Sequence, residues 1–138
     1  MSGSRLVLDA GPLVAFLDRS ESAHGDVVQM FENVRPPFLL CEPVLTETCF
    51  LLQRLPRAIE RIRAWLEIGY LQPTFQVKDH AERIFTLMHK YRNLPMSLAD
   101  ACQVCMIEEG YGDRVFTLDA HFRIYRLSKR RVVPVFMP

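Results

Sequence analysis

Asp9 ends the apolar run "RLVLD" and Asp119 ends "RVFTLD", so two stretches that read as buried strands each stop at a side chain that is costly to desolvate. Asp100 lies in "MSLADACQ", in the first turn of an apolar helix, and Glu47 in "PVLTETCF", one turn into another. Three or four carboxylates meeting at one edge would repel and raise one another's pKa. A divalent cation relieves that cost. Hard ions such as Mg²⁺ or Mn²⁺ take oxygen ligands and use few side chains, leaving waters and substrate phosphates to complete the shell. No histidine stands where a zinc site would want one.

Each acid alone has a plainer explanation. Asp100 completes an S-x-x-D capping box with Ser97, Asp9 and Asp119 cap following turns, and Glu47 is a surface acid with its stem on the core. The stronger reading rests on the four together, and it requires a fold that gathers them.

Short β-type runs alternate with longer helical ones. "RLVLD" predicts a first strand, "PLVAFLDR" a short helix begun by Pro12, and Ala23, Val27, Met30, Phe31 and Val34 a helix from about Ser22 to Val34. Pro36 and Pro37 stop it, and "FLLC" is a second strand. A third helix runs from near Pro43 to about Arg54, and "RAIERIRAWLEIG" follows with Gly69 as its stop. "YLQPTF" is a weak third strand that Pro73 confines to an edge. Asp79 is expected to cap a helix carrying Ala81, Ile84, Phe85, Met88 and Tyr91; "SLADACQVCMIEEG" is apolar on nearly every side and so central. "RVFTLD" and "RVVPVF" supply the fourth and fifth strands. The alternation implies an α/β fold, a three-layer α/β/α sandwich around a mainly parallel sheet of four to five strands, with residues 1–138 as one domain. In such sheets the ligand site lies beyond the C-terminal strand ends, where Asp9 and Asp119 fall.

A net charge of +1 points to no partner class. No apolar run is long enough to span a membrane, and "MSGSR" is unlike a signal peptide, so a cytoplasmic location is expected. Cys102 and Cys105 read C-x-x-C, but no second ligand pair accompanies them and they fall inside a helix; with Cys41 and Cys49 they are expected to be free, small hydrophobes.

"LVLDAGPLVAFLDR", "EPVLTE", "SLADA" and "FTLDAHF" resemble, in order and spacing, the acidic motifs of PIN-domain nucleases, and most of all the VapC-like toxins of toxin–antitoxin pairs. The resemblance spans essentially the whole chain. It implies that Asp9, Glu47, Asp100 and Asp119 form the catalytic set, with Asp9, Asp100 and Asp119 as direct ligands of Mg²⁺ or Mn²⁺ and Glu47 acting through a water or orienting the nucleophile. Thr117 matches the hydroxyl residue that helps orient the site in relatives, while His121 stands where many carry a further acid. It also implies hydrolysis of RNA phosphodiesters, a homodimer, and an antitoxin that occludes the site. The chemistry suits the residues, because a bound cation makes hydroxide available near neutral pH and neutralises the phosphate under attack.

"HFRIYRLSKRR" sets Arg123, Arg126, Lys129, Arg130 and Arg131 beside Phe122 and Tyr125, a pattern that can track phosphates and stack bases or can equally be a solvated face over two core aromatics. Other functions remain in view: a housekeeping RNA-processing nuclease, or a PIN-like module that binds RNA or a partner without cleaving. Dehalogenase-type phosphatases need a second acid where Gly11 stands, and response-regulator receivers need a lysine after a late strand where "FTLD" has its aspartate.

Overall fold

Leu6, Val7 and Leu8 are all buried, as befits a strand covered on both faces, and they form β1 (Leu6–Leu8). The structure is a computed structural model that describes residues 5–138. After β1 come α1 (Ala10–Leu17), α2 (His24–Phe31), β2 (Phe38–Cys41), α3 (Glu42–Leu51), α4 (Pro56–Glu67) and β3 (Leu71–Phe75). Then follow α5 (Ala81–Lys90), α6 (Leu98–Glu108), β4 (Arg114–Phe116) and β5 (Val135–Phe136).

The five strands make one sheet in the order β3-β2-β1-β4-β5, and every pairing is parallel. From β1 the chain moves outward through β2 to β3, then crosses to the other side of β1 for β4 and β5. Right-handed crossovers therefore set α1 to α4 on one face of the sheet and α5 and α6 on the other. Packing agrees: α6 lies against β1, β2 and β4, while α1 packs on α2 and α3. The result is the α/β/α sandwich, with β1 and β4 flanking the point where strand order reverses. Pro73 sits in β3, an edge strand, where a missing N–H is tolerated.

Several boundaries differ from the expectation for local reasons. Asp9, not Pro12, starts the first helix: it is the N-cap of α1, and Pro12 falls in its first turn. The second helix is shorter than Ser22 to Val34, because Glu21 and His24 are held in turns by backbone bonds to Asp18 and Glu21. The third begins at Glu42 and ends at Leu51 rather than running to Arg54. Asp79 caps nothing; it lies inside a 3₁₀ turn, Val77–His80, which leads straight into α5. Phe85 is 57% exposed, since Ile84 and Leu87 form the buried face of α5. α6 is as central as its composition implies, with Ala101 through Met106 all buried.

The far end of α6 is tied down by Glu108, which takes a forked pair of hydrogen bonds from Arg83 at 2.9 and 2.7 Å and one from the Ser128 amide at 2.7 Å. Gly112 precedes β4 where the chain passes close to β1: a Cβ there would lie 2.8 Å from Val7 Cγ2 and 3.1 Å from the Arg5 carbonyl. Valine is stiff at χ1 and the carbonyl is backbone, so neither yields easily. Gly112→Ala is expected to lose about 1–3 kcal/mol in urea unfolding; an unchanged midpoint would show that the entry to β4 is looser than this packing implies.

Candidate active site

Asp9 follows β1 directly, and its amide continues the ladder by donating to the Phe116 carbonyl at 2.9 Å. Its side chain is almost fully buried and collects three donors. Oδ1 accepts from the Ala10 amide at 2.8 Å and from Gln103 Nε2 at 2.9 Å; Oδ2 accepts from the Thr117 hydroxyl at 2.7 Å. That hydroxyl in turn accepts from the Asp119 amide at 2.9 Å. Thr117 thus stitches the end of β4 to the end of β1 and fixes the direction of its own proton, toward Asp9.

Asp100 does complete the capping box: its amide donates to Ser97 Oγ at 3.0 Å and its Oδ2 accepts from the Ser97 amide at 3.3 Å. The same Oδ2 accepts from the Tyr125 hydroxyl at 3.0 Å, leaving Oδ1 outside both bonds. Asp119 caps the turn after β4 through the His121 amide at 2.9 Å, and His121 Nδ1 lies 3.3 Å from the same oxygen. Glu47, on α3, is exposed, and no described residue donates to its carboxylate.

These segments, far apart in sequence, line one cavity of about 370 Å³ at the C-terminal edge of the sheet: Asp9, Gly11, Glu47, Ser97, Asp100, Leu118 and Asp119. The plain explanations of Asp9, Asp100 and Asp119 as caps are therefore true, and the acids converge as well. Capping fixes each carboxylate's backbone and leaves oxygen toward the cavity.

Electrostatically the site is short of positive charge. Burial raises the Asp9 carboxyl above the ordinary range despite its three donors, and the charge of Asp119 adds to the rise. Asp100 is raised by burial, then by Asp9 and Asp119. Glu47 is raised by burial, then by Asp9, Asp100 and Asp119 together. Asp9, Glu47 and Asp100 thus each feel the charge of other acids across the cavity, Asp119 among them.

An all-oxygen anionic donor set of this kind fits a hard divalent ion. Among the described residues no three carboxylate, imidazole or thiol groups already stand close enough to cage a bare ion. The cavity is wide enough for an ion that retains much of its water, which is how Mg²⁺ is usually held. The residues present fit such a hydrated ion.

No family model matches the chain, and no curated protein matches it in sequence. Among solved structures it is similar to VapC20 of Mycobacterium tuberculosis, described as a toxin that cleaves the sarcin-ricin loop. The TM-score is 0.71 over 83% of this chain and 90% of that one, at 17% identity. The chain has a VapC-like PIN fold. At that identity the likeness speaks for the architecture, and the arrangement of side chains within the PIN fold has to be read from this chain itself.

Around the acids, Gln103 and the hydroxyl of Tyr125 have roles that the sequence does not reveal. Gln103 was hidden in a helix read as apolar, although a buried amide in "DACQVCMI" was a visible oddity. For Tyr125 the basic run left stacking and core packing both open; it is fully buried, as is Phe122, and its hydroxyl serves Asp100. The basic run also divides. Arg126 turns Nη1 of its guanidinium onto the carbonyls of Arg123, Ile124 and Tyr125 at 2.6, 3.0 and 3.0 Å, so it braces the turn. Arg123, Lys129, Arg130 and Arg131 are exposed. The cysteines are free, and burial pushes the Cys105 thiol up to about 12, unsuited to redox or metal work. No helix among the described residues is long and apolar enough to cross a membrane.

Proposed function

We propose that the chain is a metal-dependent endoribonuclease, the toxin of a toxin–antitoxin pair. The observation that carries this reading is the convergence of Asp9, Glu47, Asp100 and Asp119, from four separate segments, on one cavity at the switch point of a PIN fold. Asp9, Asp100 and Asp119 would hold Mg²⁺ or Mn²⁺. When bound, such an ion supplies a hydroxide near neutral pH and a counter-charge for the phosphate.

The chain's own residues do the rest. Thr117 keeps Asp9 in place and Tyr125 keeps Asp100 in place, so neither carboxylate has to reorganise when charge develops. Glu47, which lines the same cavity and takes no hydrogen bond from a described residue, would act through a water or orient the nucleophile. Exposed Arg123, Lys129 and Arg130 are available to phosphates away from the cavity. An antitoxin that covers the acids and a second copy of the chain complete the reading as partners, and the cytoplasm is the compartment where its RNA is found.

The test is incubation of the purified protein with total RNA, with and without Mn²⁺ or Mg²⁺, followed by mapping of the cut ends. Discrete cuts that require the ion and disappear with a chelator are expected. Binding without cuts would leave a non-catalytic module. Cleavage without growth arrest on expression would leave a housekeeping nuclease.

A further inference from the structure

Gln103 is a costly residue in its position. It is fully buried in α6, its Nε2 donates to Asp9 Oδ1 at 2.9 Å and to the Ala99 carbonyl at 3.2 Å, and its Oε1 has no partner among the described residues. The amide cannot be turned over to relieve this. Exchanging its ends would set the oxygen against a carboxylate and a carbonyl, both acceptors. A buried carbonyl without a donor is destabilising, and a leucine or methionine of similar volume would not incur that loss. The protein thus tolerates an unsatisfied atom in order to place an N–H on Asp9.

What that N–H does follows from counting lone pairs. With the Ala10 amide and Gln103 both on Oδ1, that oxygen is saturated. Oδ2 takes only the Thr117 hydroxyl and keeps one acceptor position. The geometry points to Gln103 as a positioning residue that makes Asp9 a single-oxygen ligand and thereby selects small octahedral ions over larger ones. Mg²⁺ is satisfied by one carboxylate oxygen in a strict octahedron, whereas Ca²⁺ readily takes both oxygens in a looser shell. Removing the Gln103 donor frees Oδ1 and removes the bias. This rests on the metal-dependent reading above, but concerns only how Asp9 meets the ion.

The test is calorimetric binding of Mg²⁺, Mn²⁺ and Ca²⁺ to wild type, Gln103→Met and Gln103→Leu in the absence of RNA. Loss of an outer partner of a ligand usually weakens metal binding about 10–100-fold, and that loss is expected here for Mg²⁺ and Mn²⁺. Ca²⁺ should be affected much less, so the preference between ions shifts. An equal loss for all three ions would mean that Gln103 merely supports the fold, and no loss for any would remove its role; either overturns the inference. Should both variants fail to fold, the wild-type protein decides. With ¹⁵N-labelled glutamine, the Gln103 side-chain amide should shift on Mg²⁺ addition, and a stationary signal overturns the inference. Wild type that cleaves RNA with Mg²⁺ but shows no ion-selective loss in the variants fails this inference alone. Wild type that binds Mg²⁺ selectively through Gln103 yet cuts no RNA fails the nuclease reading alone. Wild type that binds none of the three ions overturns both.

Discussion

Asp9→Asn is expected to lower ion-dependent RNA cleavage by roughly 10²–10³-fold, the scale of several kcal/mol of lost transition-state charge stabilisation, while the folded protein becomes no less stable. The two halves together make the prediction diagnostic. An asparagine oxygen can accept from the Ala10 amide and from Gln103 as Oδ1 now does, and the Thr117 hydroxyl can turn to accept from the new amide. Aspartate and asparagine are equally good N-caps, so α1 keeps its start. What disappears is a buried charge that the fold holds against desolvation. If Asp9 were only a cap, activity would be untouched. If it were only a core polar residue, activity would follow stability. Asp9→Ala offers the contrast: it strands the donors of Ala10, Gln103 and Thr117 together and should lower both activity and melting temperature. Cleavage assays beside thermal melts check all three proteins, and wild-type turnover in Asp9→Asn would remove the aspartate from the mechanism.

The same residue shows how far the sequence could be read. Asp9 was legible because it interrupts a buried run, and a carboxylate there is anomalous under either explanation. Asp119 was legible for the same reason, and the alternation of strands and helices sets both at one edge of a parallel sheet, whereas the place of Asp100 relative to that edge depends on how its helix packs. Which strands are neighbours at that edge is another matter. It depends on the crossover between β3 and β4, and so on packing that only the whole fold resolves. Misjudged elements were those governed by local competition. Asp79 looked like a cap, yet the Val77–His80 turn took its place, and the second helix was trimmed by backbone turns that apolar periodicity does not register. Gln103 and the hydroxyl of Tyr125 act on the acids from behind, and partners of that kind are set by tertiary contact that the sequence does not show. Arg126 is ambiguous in sequence for the converse reason: a cation in a basic run resembles a phosphate contact, and only the fold shows its guanidinium bound to three carbonyls of its own turn.

Mild acid and a divalent ion are expected to stabilise the metal-free protein in the same way and to compete for the privilege. Asp9, Glu47 and Asp100 each stand above the ordinary carboxylate range in the folded state, with burial the largest cause in each. Between those raised values and the ordinary 3.8 of aspartate and 4.5 of glutamate, the folded protein therefore binds more protons than the unfolded chain. Stability then rises as the pH falls through that window, and the gain is complete below the ordinary values. Two acids pull the other way lower down. Asp18 is lowered chiefly by its hydrogen bonds from Ser20, and Glu108 is lowered because Arg83 and Ser128 outweigh its burial. Their contributions are present above 3.8 and 4.5 respectively and vanish as the pH falls through their depressed values. The metal-free protein should accordingly be most stable on the acid side of neutrality. Mg²⁺ at about 100 times its dissociation constant adds roughly 2.7 kcal/mol by mass action, or roughly 5–10 °C of melting temperature for a domain of this size. That increment should be largest above the raised values of Asp9, Glu47 and Asp100 and should fade as the pH falls through them, where protons compete with the ion. Asp9→Asn should blunt both the acid gain and the ion gain. Melting curves across pH, with Mg²⁺ or with chelator, read every part of this. A metal-free protein that only loses stability on leaving neutrality, with an ion increment indifferent to pH, would mean that the four acids do not share a cation.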